Sequence, residues 1–139
     1  MRNSGKHLHI ISFDIPYPAN YGGVIDVFYK LRALVSAGVK VHLHAFQYGR
    51  QSSKILEELC ESVHYYQRDV SKSQLFLKEP YIVVSRSSEQ LIKNLLSDDH
   101  PILFEGLHST HYLNDERLKK RKKIVRTHNI EHEYYKNLA

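Results

Sequence analysis

Residues 6–46 read KHLHIISFDIPYPANYGGVIDVFYKLRALVSAGVKVHLHAF, and the pattern within them decides the fold. Residues 6–13 (KHLHIISF) join β-branched and apolar side chains ahead of a turn-rich stretch, which predicts a first strand. Residues 14–23 hold two prolines and two glycines, the composition of a loop. Apolar residues then recur at Val24, Val27, Phe28, Leu31, Leu34 and Val35, the spacing of one helical face, and Gly38 just beyond supplies a stop. Residues 40–46 alternate strictly, with Val41, Leu43 and Ala45 on one face and His42 and His44 on the other. That alternation predicts a second strand whose histidines are structural rather than metal ligands. Strand, glycine-bearing loop, helix and strand in this order form a βαβ unit, and the crossover requires a parallel pair.

The remainder repeats the alternation more weakly. Residues 53–60 read as a helix and 62–67 as a strand, while 68–80 show no clear period. Residues 87–96 form an amphipathic helix with Leu91, Ile92, Leu95 and Leu96 on one face and Ser87 as its cap. Two short buried strands follow at 101–104 (PILF) and 123–126 (KIVR), and residues 129–139 begin another helix. The expected class is α/β, a Rossmann-like doubly wound parallel sheet, with no internal repeat.

At 139 residues and 16.3 kDa the chain suits one domain, residues 1–139, and can bury a real core. Its 42% hydrophobic and 25% charged content is that of a soluble globular protein. No apolar run approaches the roughly 20 residues of a membrane-spanning helix, and the N-terminus lacks a signal-peptide core. Cys60 is the only cysteine, which excludes an intramolecular disulfide and a multi-cysteine zinc site and makes a reducing, cytoplasmic setting the default. We read it as an inert core thiol. The formal charge of +5 suits an anionic ligand.

Ligands of open parallel sheets bind beyond the carboxyl ends of the strands. Residues 14–23, 47–51, 105–111 and 127–132 occupy those positions. Polar and titratable groups gather in two of them, at Glu105, His108 and His111 and at His128, Asn129, Glu131 and His132. Gly22 and Gly23 stand immediately before the first helix, where unpaired N–H groups and the helix dipole favour an anion and a missing Cβ allows close approach. A glycine pair in that place also serves as a plain tight turn. It matches neither GxGxxG nor the P-loop. Phe46 and Gln47 hold the place where a ribose-binding acid would stand, so a nicotinamide cofactor is not expected.

Residues 128–132 spell HxxEH, an inverted zinc-protease pattern. A strand ends too close before it, and no third ligand follows, so no metal is expected. Residues 119–123 (KKRKK) read as a solvated connection rather than a nucleic-acid surface, since no recognition helix or aromatic-interleaved pattern accompanies them. Tyr65, Tyr66, Tyr134 and Tyr135 read as packing residues at element ends.

Taken together, FDIPYPANYGG, VIDVFYKLRALVSAGVKVHLHAF, HPILFEGLHST and RTHNIEHEYYKNLA resemble the N-terminal domain of GT-B glycosyltransferases of the family-4 (group 1) kind, in that family's order and over nearly the whole chain. The resemblance implies sugar transfer, usually with retention and without a metal, from a nucleotide-sugar donor to a sugar or lipid-linked acceptor. Two Rossmann-like domains then face each other, the N-terminal one holding mainly the acceptor. Gly22 and Gly23 would touch the donor diphosphate, whose growing charge their N–H groups would stabilise. Glu105 and His108 would be the catalytic residues near the acceptor or transferred sugar, and Arg126, His128 and Asn129 would bind substrate. The nucleotide-sugar is a substrate, and no cofactor is implied. The family setting is polysaccharide or lipopolysaccharide assembly in the cytoplasm, with peripheral contact at the inner face of the membrane.

The family's donor-binding E-x7-E signature belongs to a C-terminal domain that these residues do not contain. The chain is therefore expected to be a truncated, acceptor-side fragment, inactive alone. The alternatives are a stand-alone Rossmann- or flavodoxin-like module binding a phosphorylated small ligand, and a basic nucleic-acid-associated domain.

Overall fold

The computed structural model describes residues 6–19, 22–47, 51–67, 89–106, 110 and 112–126. Its strands are β1 (His7–Ser12), β2 (Lys40–Gln47), β3 (Ser62–Gln67), β4 (Ile102–Glu105) and β5 (Lys123–Arg126). They form one five-stranded sheet in the order β3–β2–β1–β4–β5, and every pairing is parallel. The helices are α1 (Gly22–Ser36), α2 (Lys54–Leu59) and α3 (Glu89–Leu95), with a 3-10 turn at Glu116–Leu118.

The period-2 pattern of the strands sorts their side chains into two cores. Ile10, Leu43, Ala45 and Leu103 face Val24, Val27, Phe28 and Leu31 of α1 and Leu56 of α2. Ile11, Phe46, Ile102 and Phe104 face Leu91, Ile92 and Leu95 of α3 on the other side, joined by Tyr66, Tyr112 and Leu118. Most of these are fully buried, and each large one contributes about 1.5–3 kcal/mol of transfer free energy. Helices on both faces make the sheet doubly wound, as expected from the sequence.

Local chemistry sets the end of α1 and the start of α2. Gly38 takes a φ of +91°, its N–H bonds to the Val35 carbonyl, and the Val39 N–H reaches back to Leu34. This pair of bonds closes α1 as a Schellman motif, and it needs the left-handed residue that glycine supplies without strain. Ser53 caps α2 by accepting the Leu56 N–H at 3.3 Å. Cys60, just past α2, is buried, and burial pushes its thiol up to about 12, in keeping with an inert thiol.

Four expectations shift. The helix α1 begins at Gly22, so the glycine pair forms its first turn rather than preceding it. The strand read as PILF runs one residue later, which places Glu105 inside β4. The KIVR strand is not buried: Ile124 and Val125 are exposed, because β5 is the outermost described strand. Leu96 lies past the end of α3 and is exposed. Ser87 and the helix expected over 129–139 fall outside the described residues, as do Tyr134 and Tyr135.

Gly38→Ala would meet no atom but must hold a positive φ, so it should lower stability by about 1–2 kcal/mol in urea or guanidinium unfolding. Leu31→Ala, which empties a fully buried site, should lower it by about 2–5 kcal/mol. Wild-type midpoints for both variants would contradict this packing.

Candidate functional site

In a sheet of this order the chain changes sides between β1 and β4, and ligands of such folds bind beyond the carboxyl ends of those strands. Register sets what meets there. Ser12 of β1 lies beside Glu105 of β4, and Glu105 beside Arg126 of β5. Gly106 follows at once with a φ of +80°, turning the chain off the sheet while its N–H bonds to the Arg126 carbonyl at 2.7 Å.

The helix α1 leans over this edge and supplies two charges one turn apart. Lys30 donates to the Glu105 carboxylate, which is wholly buried, while the lysine side chain keeps 20% of its exposure. Asp26 receives the Arg126 guanidinium in a forked contact, at 2.8 Å to Oδ2 and 3.2 Å to Oδ1, and both partners stay well exposed. The pairs alternate in sign: acid to β5 and base to β4 from the helix, base and acid in return from the strands. They fasten α1 to β4 and β5 and leave Arg126 as the solvent-facing cation of the group. A bidentate guanidinium in that setting can exchange its carboxylate for a phosphate of similar geometry.

Two further features belong to the segments that follow β1. Asp14 is buried just beyond β1, where its Oδ1 accepts the Ile15 N–H at 2.8 Å. The first turn of α1 holds no acidic side chain, so its amide N–H groups and dipole are not offset from within the helix. Gly22 is exposed at that end, with open space where a Cβ would stand.

The sequence candidates are thus placed unequally. Glu105 and Arg126 stand side by side at the carboxyl edge of the sheet, and Gly22 and Gly23 belong to the first turn of the helix whose Lys30 and Asp26 meet them. Glu105 is not the loop residue the sequence suggested; it is a buried strand residue engaged by Lys30. His108, His111, His128, Asn129, Glu131 and His132 lie outside the described residues, so the HxxEH pattern does too. Among the described residues, no group of three or more metal-ligating side chains could hold an ion. Asp26, Lys30 and Asp14 were not singled out from the sequence. The first two left a signal: opposite charges four apart, beside the apolar stripe of a helix.

The KKRKK run also divides. Lys119, Lys120 and Lys122 are exposed. Arg121 is not part of a solvated run, because its side chain turns inward to the carbonyls of Leu95 and His100 and to Asp98. No described helix is long and apolar enough to cross a membrane.

Among curated proteins, the chain is similar to an uncharacterized 44.6 kDa protein in the cps region of Klebsiella pneumoniae. The two are 33% identical over 136 residues, which cover 93% of this chain and 35% of that protein. The chain therefore spans about a third of the length of this relative. No family model matches the chain, and no solved structure does.

The two ion pairs should differ sharply in strength. Lys30→Met leaves a buried carboxylate without its cation and should cost about 3–5 kcal/mol. Arg126→Ala breaks an exposed pair and should cost under about 1 kcal/mol. Equal losses in denaturant unfolding would mean that Glu105 is not held as described.

Proposed function

We propose that this chain is the acceptor-side, Rossmann-like part of a nucleotide-sugar-dependent glycosyltransferase that works in capsule polysaccharide synthesis. The observation that carries the reading is the fifteen-residue helix α1, free of acid in its first turn, whose early turns are fastened to the carboxyl ends of β4 and β5 through Lys30 and Asp26. The N-terminus of such a helix stabilises negative charge, and the charge that grows during sugar transfer is that of a departing diphosphate. The cps-region relative supports the polysaccharide setting, because that designation points to a capsule polysaccharide locus.

Within this reading each residue has a distinct task. The amides of Gly22 and Gly23 face the diphosphate. Arg126 releases Asp26 to take an anionic group of donor or acceptor. Glu105 is a positioning residue, since its buried carboxylate holds Lys30 and with it the pitch of α1. His108, His128 and Asn129, which follow β4 and β5 in the sequence, are proposed to contact the acceptor and the transferred sugar. No protein nucleophile is assigned. The donor reaches the site as a substrate, and a second domain supplies most of its binding surface. The protein works in the cytoplasm, touching the inner membrane face where a lipid-linked acceptor is presented.

The test is transfer of radiolabelled sugar from a panel of nucleotide-sugars to a lipid-linked acceptor. It compares the 139-residue chain alone with a longer protein in which the chain is joined to the remainder of the cps-region relative. The longer protein should turn over and the chain alone should not. In the longer protein, Arg126→Ala should lower kcat/KM by about 10- to 100-fold, the worth of a charge-assisted hydrogen bond. Turnover by the isolated chain, or an Arg126→Ala enzyme with unchanged kcat/KM, would overturn these assignments.

A further inference from the structure

The sheet face turned toward α3 carries imidazoles where a doubly covered parallel sheet normally carries aliphatic side chains. His7 and His9 of β1, His42 and His44 of β2 and His64 of β3 all project there, and His100 joins them from the segment ahead of β4. Register creates their contacts. His9 lies level with His42, and Ile11 with His44, so each β1 histidine meets a β2 histidine on the diagonal. Nδ1 of His7 lies 2.8 Å from Nε2 of His42, and Nδ1 of His9 lies 2.8 Å from Nε2 of His44.

The second of these contacts belongs to a chain that crosses three strands and returns to a helix. Asn94 of α3 donates to the Tyr66 oxygen at 2.8 Å, and Tyr66 Oη lies 2.8 Å from His44 Nδ1. His44 meets His9, and His9 Nε2 lies 2.9 and 3.0 Å from the two oxygens of Asp98. A neutral imidazole has one donor and one acceptor, and an ionised carboxylate only accepts. The whole order therefore follows from Asp98. His9 donates from Nε2 and accepts at Nδ1, His44 does the same, and the Tyr66 O–H fills His44 Nδ1. Every member is satisfied, and only this proton arrangement satisfies them all.

We propose that the Asn94–Tyr66–His44–His9–Asp98 chain is an acid-operated latch. At neutral pH it fastens α3 and the segment after it to β1, β2 and β3, and it opens when one of its imidazoles takes up a proton. A proton on Nδ1 of His9 or His44 turns an acceptor into a donor. On His9 that N–H confronts the His44 N–H across a 2.8 Å gap, on His44 it displaces the Tyr66 O–H from its acceptor, and in either case a charge is buried. What opens is set by the endpoints: Asn94 ties α3 to β3, and Asp98 ties the end of α3 to β1. Asp98 also binds Arg121, which holds the Leu95 carbonyl at 2.6 Å.

The surroundings favour neutral imidazoles. His44 is fully buried, and burial holds it well below the ordinary imidazole range, with His9, His64 and His42 adding to the effect. Burial also lowers His9, against the pull of Asp98 and with the help of Arg121 and His100. His42 and His64 are lowered by burial as well, with His9 and His7 pressing on His42 while Asp98 and Glu61 oppose. Burial works to raise Asp98, but the His100 N–H and His9 outweigh it and keep the carboxylate ionised. Asp99 faces Arg121 from the same segment. Exposed imidazoles take protons near pH 6.5, whereas the closed latch resists them to lower pH. The open state thus binds more protons than the closed one. The closing free energy is full above about pH 6.5 and is lost as pH falls, the equilibrium moving by up to about tenfold per pH unit for each proton gained.

Long-range 1H–15N spectra of the imidazoles in the 139-residue chain at pH 7.5 should show both His9 and His44 with Nε2 protonated and Nδ1 bare. Amide exchange at pH 7.5 and 5.5, corrected for the intrinsic rate, should show Glu89–Leu95 losing at least tenfold of its protection at the lower pH, while residues 27–34 keep theirs. A His9→Gln, His44→Gln double variant keeps donors and acceptors without titrating, and its α3 protection should not change with pH. If that variant does not fold at pH 7.5, the wild-type spectra and exchange decide. A proton on Nδ1 of either ring at pH 7.5 would overturn the latch. So would α3 protection unchanged by pH, or protection lost alike in α1 and α3.

Discussion

Parallel pairing of β1 with both β2 and β4 is the constraint on which everything else depends. Parallel neighbours cannot be joined by a tight turn, so each connection must cross a face of the sheet and return. The crossovers carry α1 and α2 to one face, and α3 covers the other. They also collect the loops that follow the strands along one edge. Because β1 pairs on both sides, the order reverses there, at the carboxyl ends that carry Ser12 and Glu105. The early turns of α1 reach that edge through Lys30, which meets Glu105, and Asp26, which meets Arg126.

The two faces meet the demand for burial in different ways. Beneath α1 the contacts are aliphatic and aromatic until the carboxyl edge, where Glu105 and Lys30 bring charge into the core as a pair. Beneath α3 the apolar cluster of Ile11, Phe46, Ile102 and Phe104 gives way to a field of imidazoles. A buried polar group costs free energy unless its hydrogen bonds are made, so those imidazoles persist only as a complete network. Satisfaction of that network links β1, β2 and β3 to α3 through specific bonds, where aliphatic packing would allow sliding. The price is sensitivity to protons.

Much of this was legible in residues 6–46, where the change from period 2 to a helical period and back fixes a βαβ unit. The strict alternation of residues 40–46 placed His42 and His44 on one face and predicted their structural role, which their hydrogen bonds bear out. Their partners were not legible, because a diagonal contact depends on the register between β1 and β2. Glu105 misled for a related reason: a carboxylate at a strand end reads as loop until its cation, 75 positions away on α1, is known. Arg121 was hidden by its neighbours, since four lysines around it give the whole run a solvated character. The exposed β5 shows the limit of short apolar runs, in which composition marks a strand but not whether it is central or outermost.

The functional reading rests on one physical claim, that the start of α1 and Arg126 together form the anion-binding edge of the sheet. Backbone and arginine side-chain 1H–15N spectra of the 139-residue chain, titrated with inorganic pyrophosphate at constant ionic strength, test it most directly. The account predicts saturable shifts at the Gly22 and Gly23 amides and at the Arg126 guanidinium, with Lys119, Lys120 and Lys122 unmoved. Shifts confined to those lysines, or none at the start of α1, would contradict it.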